Sequence, residues 1–141
     1  MRIGFTCGAF DLLHPGHVHF LAACSGRCDS LVVGLHANPQ VDRVTKNAPV
    51  QTLYERWLQL SALSCVTRII PYETEADLEN LLAIELLDVR FLGSDYTSQQ
   101  DYTGKAVCER RGIAIEFIPR LHTFSSSELR QRVWARQWKQ Y

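Results

Sequence analysis

The sequence predicts one α/β domain in which helices flank a five-stranded parallel sheet. Three observations lead to this prediction. The 141 residues, 46% of them apolar, are enough for a single core of ordinary size, so one domain over 1–141 is expected. Short apolar runs typical of buried strands alternate with segments of helical periodicity along the whole chain. No internal repeat or low-complexity tract breaks this alternation.

The first half of the chain predicts three strands and two helices. The strands are short apolar runs, over 2–7, 30–35 and 68–70. A helix with one buried face is predicted over 18–24. A second helix is predicted over 53–63, because Thr52 forms a capping box with Glu55. The segment 38–52 is polar, contains two prolines and is long for a connection in such a domain, so we expect a functional loop there.

The second half predicts two further strands and three helices. The strands are again apolar runs, over 89–92 and 113–118. The helices are predicted over 76–87, 105–111 and about 125–139. Gly112 is suited to end one helix, and Ser125 with Glu128 forms a capping box that opens the last one. Ligands bind outside the carboxyl ends of strands in open parallel sheets, so the loops that follow strands are the expected site.

Composition and charge argue against several classes of protein. Fifteen basic residues balance fifteen acidic ones, so no overall positive field favours nucleic acid. The chain shows neither a signal-peptide pattern nor an apolar stretch long enough to span a membrane. Five scattered cysteines argue against a disulfide framework, and a cytoplasmic location is expected. The three tryptophans are expected in the core or at an interface, and no metal-ligand set is expected.

The segment His14-Pro15-Gly16-His17 is the sharpest chemical feature of the sequence. It lies between the first predicted strand and helix, where the positive end of a helix dipole can face an anion. Two imidazoles there can donate hydrogen bonds to phosphate oxygens. Gly16 lets the backbone approach a phosphate closely, and Pro15 suits a first helical turn. An isolated histidine pair would more often be ordinary loop residues, but this context favours a phosphate site.

Cationic and hydroxyl side chains elsewhere in the sequence could serve the same anion. Lys46 lies in the long polar loop, which could fold over a triphosphate and neutralise its charge. Arg120 follows the fifth predicted strand and could hold the anion in a bidentate manner. Ser125 and Ser126 open the last helix and could form a phosphate cradle. Taken alone, Lys46 would more often be a solvated surface charge and the serines an ordinary helix cap, and a surface ion pair is the competing explanation for Arg120.

Residues 8–17, Gly-Ala-Phe-Asp-Leu-Leu-His-Pro-Gly-His, resemble the G-x-F-D-x-x-H-x-G-H segment of the cytidylyltransferase family, and most of all its glycerol-3-phosphate enzymes. The similarity continues at Lys46, at residues 54–56, at 93–96 and at 119–127, in the same order as in that family. It therefore covers nearly the whole chain. The resemblance implies a single Rossmann-like domain and a nucleotidyltransferase that releases pyrophosphate.

The resemblance also implies a role for each matching residue. Catalytic roles fall to His14, His17, Lys46 and Arg120. Nucleotide contacts fall to Cys7, Gly8, Ala9, Phe10, His14, Gly16, His17, Gly93, Asp95, Tyr96, Arg120, Ser125 and Ser126. Acceptor contacts fall to Asp11, Lys46 and Arg56, and Arg56 would also support the loops. Ala9, Tyr96 and the pair Leu121-His122 depart from the family pattern, which leaves the choice of nucleotide and acceptor open.

These implications lead to a main hypothesis and two alternatives. The main one is transfer of CMP from CTP to a phosphorylated alcohol such as glycerol 3-phosphate, with Mg²⁺ bound mainly through the triphosphate. The first alternative is an adenylyltransferase that uses ATP and a sugar phosphate, because heptose-phosphate and pantetheine-phosphate adenylyltransferases share the H-x-G-H motif. The second is a non-catalytic nucleotide-binding regulatory module. A homodimer is expected from the resemblance and from Val133, Trp134 and Trp138 on the last helix.

Overall fold

The computed structural model describes residues 1–94 and 101–138 as an α/β domain built on one parallel sheet. Its strands are β1 (Ile3–Gly8), β2 (Ser30–His36), β3 (Arg68–Tyr72), β4 (Val89–Gly93) and β5 (Ala114–Ile118). Its helices are α1 (Pro15–Ser25), α2 (Leu53–Ser61), α3 (Glu75–Ile84), α4 (Lys105–Arg111) and α5 (Ser126–Trp138), with a short 3₁₀ turn at Pro39–Val41. The predicted fold class is confirmed.

The order of the strands places the carboxyl end of β1 at the centre of the sheet. The order is β3-β2-β1-β4-β5, so the chain moves outward to one side, returns past β1 and continues to the other. Such a reversal leaves a crevice between the first strands of the two halves, and ligands of open α/β sheets bind there. In this chain the crevice lies where β1 and β4 end.

Apolar side chains cover both faces of the sheet. Successive residues of a strand point to opposite faces, and β2 follows this rule: Leu31, Val33 and Leu35 pack in one core cluster, whereas Val32 packs in the other. The first cluster includes residues of α1 and α2, and the second includes residues of α3 and α4. Burial on both faces explains why these strands are nearly continuous apolar runs.

Several predicted boundaries differ from the observed ones at the helix ends. Helix α1 begins at Pro15, three residues before the predicted start, because His14 caps it. Helix α2 ends at Ser61, two residues before the predicted end, and Ala62 is its C-cap. Helix α4 matches the prediction, with Gly112 in the left-handed conformation at φ +67°.

The tryptophans do not lie in the core of this chain. Trp57 is 39% exposed, Trp134 63% and Trp138 60%. The prediction of core positions is therefore wrong for all three residues, and an interface role stays a prediction. The five cysteines carry free thiols. Within the described part of the chain, none of the helices combines the length and apolar character needed to cross a bilayer.

Candidate active site

The loop between β1 and α1 lies at the carboxyl edge of the sheet and has unusual backbone geometry. Phe10 and Leu12 adopt positive φ angles of 48° and 52°. This conformation is uncommon for residues with large side chains and persists where the surroundings enforce it. Here Phe10 is buried and its ring meets the edge of His17 at a centroid distance of 5.6 Å. The strained loop delivers His14 and His17 to the start of α1.

His14 and His17 cap α1 with their imidazole rings. The Nδ1 atom of His14 accepts a hydrogen bond from the Gly16 amide at 3.0 Å, and Nδ1 of His17 accepts one from the His14 amide at 3.2 Å. The two rings stack at a centroid distance of 3.9 Å. These bonds use the Nδ1 atoms, so a neutral ring carries its proton on Nε2. Nε2–H is therefore the donor that each ring keeps for another partner.

Both histidines are held in the neutral form by their surroundings. Burial lowers the pKa of His17 to about 4, with a further lowering from His14 and an opposing effect of Asp11. Burial also lowers the pKa of His14, and the nearby charges of His122 and Arg120 add to this. A neutral ring fits the hydrogen bonds, because a protonated Nδ1 could not accept the amide protons.

Acid is expected to destabilise the fold through His17. Between about pH 6.5 and about pH 4 the unfolded chain binds a proton here that the folded chain does not, so the free energy of unfolding decreases as pH falls. The pKa shift corresponds to roughly 3 kcal/mol. Urea unfolding at a series of pH values measures this slope. In the control H17Q, position 17 cannot titrate and the slope should be smaller; an unchanged slope would contradict the assignment.

The start of α5 brings a hydroxyl group to the capping histidines. His14 Nε2 lies 3.2 Å from Ser126 Oγ, and with the tautomer above His14 donates this bond. The hydroxyl proton of Ser126 is then available to a ligand. Ser125 Oγ accepts from the Glu128 amide at 3.0 Å, which is one of the two bonds of the predicted capping box. Ser126 thus joins the site, while Ser125 holds the helix end.

Arg120 lies on the loop between β5 and α5. Its backbone amide donates to Ser94 Oγ at 3.2 Å, and its guanidinium donates to the Phe124 carbonyl at 2.6 Å. Its positive charge contributes to the lowered pKa of His14, after burial and His122. Two predicted contributors to the site, His14 and Ser126, are therefore in contact at the start of α1, and Arg120 is close enough to act on His14 through its charge.

Gly16 has no room for a side chain between the imidazoles. A Cβ at this position would lie 2.7 Å from Cε1 of His14 and 2.9 Å from Cε1 of His122. We expect Gly16→Ala to displace these rings and to lower any transferase activity about tenfold or more. The control is Gly26→Ala at the other end of α1, where the nearest atom would be the Ala22 carbonyl oxygen at 3.5 Å. Equal activity of both variants would contradict the expectation.

Asp11 ties the long loop and α5 to the site. Its carboxylate accepts from the amides of Val50 at 2.8 Å and Gln51 at 2.9 Å, and it pairs with Arg130 at 3.2 Å. The carboxylate is only 12% exposed. These contacts join three segments that are distant in sequence. The acceptor contact that the resemblance implied for Asp11 stays a prediction.

Lys46 lies in the exposed part of the long loop. Within residues 1–94 and 101–138 its ammonium group has no hydrogen bond or ion pair. The loop is tied to its surroundings on both sides of Lys46, by Arg43 with Glu75 at 3.3 Å and by Val50 with Asp11. Lys46 therefore makes no hydrogen bond to either histidine, and its loop is attached through Asp11 to the segment that carries them.

Arg56 is buried and does not face a ligand. It is 2% exposed, and its guanidinium donates to the carbonyls of Ala9 at 3.0 Å, His36 at 2.7 Å and Ala37 at 2.7 Å. Almost no surface of this side chain remains for an acceptor. The geometry instead agrees with the loop-supporting role that the resemblance also implied.

The remaining predicted nucleotide contacts lie on β1 and β4. Cys7 and Gly8 end β1, and Ala9 follows them. Gly93 ends β4, and apart from its chain neighbours no described residue comes within 4 Å of the place where its Cβ would stand. Asp95 and Tyr96 lie outside the described residues.

Two residues near the site were not among the predicted contacts. Arg130 of α5 pairs with Asp11. It follows Ser126 by four residues, so the helical period places both on one face of α5 and could have indicated Arg130 as a site residue. His122 lies against Gly16. In the sequence it stands between Arg120 and Ser125, two predicted site residues, and this position could have indicated it. The Nε of Arg130 is buried without a hydrogen-bond partner in the described part of the chain.

The donors of the site suit an anion better than a metal ion. Across residues 1–94 and 101–138, no three histidine, cysteine, aspartate or glutamate side chains are grouped to hold a metal. The carboxylate of Asp11, on the loop that carries the histidines, is already used by two amides and Arg130. Mg²⁺ keeps several water ligands and is commonly bound through substrate phosphates. A magnesium ion that arrives with a triphosphate fits this set of side chains.

A comparison with protein families finds one match that covers most of the chain. The family model described as cytidylyltransferase-like matches residues 5–132. Curated relatives include a bifunctional protein HldE from Rhodopseudomonas palustris, 38% identical over 130 residues and 92% of this chain. Another is a bifunctional protein HldE from Nitrobacter hamburgensis, 36% identical over 137 residues and 96% of this chain. This chain spans about a quarter of their length, 26% and 28% respectively.

Solved structures share the fold. A lipopolysaccharide core biosynthesis protein from Thermoplasma volcanium superimposes with a TM-score of 0.66 at 24% identity, over 88% of this chain and 99% of the other. A pantoate-beta-alanine ligase from Francisella tularensis, in complex with beta-gamma ATP and beta-alanine, gives a TM-score of 0.55 at 18% identity, over 89% of this chain and 61% of the other. At these identities the similarity concerns the fold alone.

Proposed function

Because this chain belongs to the cytidylyltransferase-like family of nucleotidyltransferases, we propose that it transfers a nucleoside monophosphate from a nucleoside triphosphate to a phosphorylated acceptor. We propose ATP as the nucleotide and a sugar phosphate as the acceptor. The observation that supports the proposal most is the convergence of His14, His17 and Ser126 at the first turn of α1, within the electrostatic reach of Arg120. These donors suit a polyphosphate.

The proposed reaction is an in-line displacement at the α-phosphorus. An oxygen of the acceptor phosphate forms a bond to this phosphorus, the bond to the bridging oxygen of the β-phosphate breaks, and pyrophosphate leaves with the electron pair. The acceptor oxygen is already ionised near neutral pH, so no general base is required. Catalysis then depends on positioning and on neutralising the charge that develops on the phosphorane oxygens.

Each side chain has a distinct part in this scheme. The Nε2–H of His17 donates to an oxygen at the α-phosphorus. The Nε2–H of His14 is bonded to Ser126, so His14 acts through the hydroxyl of that serine, which donates to the same group. Arg120 and Lys46 neutralise the triphosphate, Lys46 when its loop folds toward the nucleotide. Mg²⁺ bound to the triphosphate supplies further charge neutralisation. The capping bonds hold both imidazoles in the donor tautomer before the nucleotide arrives, so no reorganisation is needed at that step.

The relatives support the choice of ATP over CTP. Similarity to the HldE proteins favours the adenylyltransferase alternative over the cytidylyltransferase hypothesis. The segment from Pro119 to Ser127 and the family description favour CTP with glycerol 3-phosphate, which is therefore the second candidate. Because the chain covers only part of these relatives, any further activity of theirs is not transferred to it.

A matrix of nucleotides and acceptors tests the proposal. Purified protein with Mg²⁺ is incubated with ATP, CTP, GTP or UTP and with sugar phosphates, glycerol 3-phosphate, phosphocholine or phosphoethanolamine, and released pyrophosphate is measured. We expect the highest rate with ATP and a sugar phosphate. A highest rate with CTP and glycerol 3-phosphate would replace the first candidate by the second. Nucleotide binding without pyrophosphate release under any condition would favour the regulatory module instead.

The same protein preparation addresses the proposed homodimer. The apolar residues Val133, Trp134 and Trp138 of α5 are 60 to 63% exposed. Exposed tryptophans side by side on one helix are common at interfaces between subunits. Sedimentation velocity at several concentrations is expected to show a dimer, and a monomer at all concentrations would contradict this proposal.

A further inference from the structure

The loop that connects β5 to α5 carries a histidine against the start of α1. The Cε1 atom of His122 lies 2.9 Å from the place where a Cβ of Gly16 would stand, and Cε1 of His14 lies 2.7 Å from the same place. The edges of two imidazoles, from residues far apart in the chain, therefore meet over one glycine. The proximity of His122 also contributes to the lowered pKa of His14.

The ring of His122 is held firmly in one orientation. Its Nδ1 accepts a hydrogen bond from the Phe124 amide at 3.2 Å. Its ring stacks on Phe124 at a centroid distance of 5.4 Å and on His19 at 5.7 Å. Because Nδ1 accepts, a neutral ring carries its proton on Nε2. No hydrogen-bond partner of this Nε2 is found in residues 1–94 and 101–138.

A half-buried donor held in this way next to a phosphate site is suited to bind an anion. We propose that His122 donates its Nε2–H to the pyrophosphate portion of the bound nucleoside triphosphate. His14 and His17 occupy the first turn of α1, which we assign to the α-phosphorus. His122 shares its loop with Arg120, which we assign to the triphosphate, so the β- and γ-phosphates are the matching partners. This inference rests on the proposed function.

The resemblance that identified the other site residues did not include this one. The pair Leu121-His122 departs from the family pattern, so His122 is a feature of this chain and not a carried-over ligand. Leu121 is 89% exposed, whereas His122 is half-buried against α1. Of this pair, His122 is therefore the residue that packs beside Gly16 and the histidines of α1. A third imidazole would strengthen the hold on the leaving group.

Two substitutions separate a ligand role from a structural one. Asparagine at position 122 can place its carbonyl where Nδ1 accepts the Phe124 amide, but it has no N–H group at the position of Nε2. Glutamine can place an amide N–H near the position of Nε2, but it loses the contact with Phe124. If His122 binds phosphate, His122→Asn should be the more damaging change; if it only orders the loop, His122→Gln should be. Thr123→Ala, at the exposed neighbouring position, is the control.

The probe is inorganic pyrophosphate with Mg²⁺, titrated into each variant in a calorimeter. We expect His122→Asn to weaken pyrophosphate binding about tenfold, because a hydrogen bond to a charged acceptor is lost. We expect His122→Gln to stay within about threefold of the original protein. Unchanged binding by His122→Asn, or binding by His122→Gln as weak as that by His122→Asn, would overturn the proposal.

Turnover measurements keep this proposal separate from the proposed function. The original protein is assayed for pyrophosphate release with its best nucleotide and acceptor, and its KM for the nucleotide is compared with that of His122→Asn. If the original protein turns over and the variant has the same KM, only the role of His122 fails. If the original protein releases no pyrophosphate from any pair, the proposed function fails, while the calorimetric comparison still decides whether His122 binds pyrophosphate.

Discussion

Replacement of His17 by alanine is expected to lower turnover by about two orders of magnitude or more. The imidazole is proposed to place its Nε2–H at the α-phosphorus, where negative charge grows in the transition state. The structure prepares this donor in advance, because Nδ1 is bonded to the His14 amide at 3.2 Å and burial lowers the pKa to about 4. Steady-state release of pyrophosphate measures the effect on kcat, and nucleotide binding should change much less.

The fold should survive this substitution. The alanine variant loses one capping hydrogen bond of α1, which costs about 1 kcal/mol in typical helices. Circular dichroism and thermal unfolding check that the domain is still folded. Val18→Ala, at the adjacent and 41% exposed position, is the control and should keep its activity. A folded His17→Ala protein with turnover within tenfold of the original would show that His17 has no direct part in the reaction.

Replacement of Arg56 by methionine is expected to lower the free energy of unfolding by about 4 kcal/mol. The guanidinium is 2% exposed and donates to five backbone carbonyls, those of Ala9, His36, Ala37, Gln51 and Thr52. Methionine fills a similar volume but leaves these buried carbonyls without a donor. The substitution would remove the guanidinium that connects three segments: the loop between β1 and α1, the end of β2 and the start of α2.

Urea unfolding measures this loss, and Arg68→Met provides the matched control. The guanidinium of Arg68 donates two hydrogen bonds to Glu85, but its side chain is 57% exposed. Exposed ion pairs contribute little, so the control should change stability by less than about 1 kcal/mol. Similar losses in the two variants would show that burial of Arg56 does not determine its contribution. A stable Arg56→Met protein with low activity would indicate that Arg56 contributes to activity and not to stability.

Residues 2–24 illustrate how much structure local patterns predict. An apolar run, a loop with histidines and a helical stretch predicted a strand, a phosphate-binding turn and a helix, and the structure has β1, the loop and α1 in that order. The capping boxes at Thr52 and Ser125 likewise located the starts of α2 and α5. These features depend on residues within one turn or one strand, so the sequence contains all the information they require.

The contacts that assemble the site could not be predicted in this way. The resemblance indicated that His14, Arg120 and Ser126 serve one ligand, but it said nothing of the bond between His14 and Ser126. It assigned Asp11 to the acceptor, whereas the carboxylate binds Val50, Gln51 and Arg130. Partners of this kind are separated by 39 to 119 residues along the chain. No local periodicity relates positions so far apart.

The sequence by itself determined the α/β alternation and the strand-loop-helix segment that carries His14 and His17, because periodicity and capping act over a few residues. The tertiary structure alone decided which backbone carbonyls Arg56 binds and that His122 lies against Gly16. The physical reason is the strand order β3-β2-β1-β4-β5, which sets which loops meet at the carboxyl edge. That order depends on the packing of both sheet faces at once.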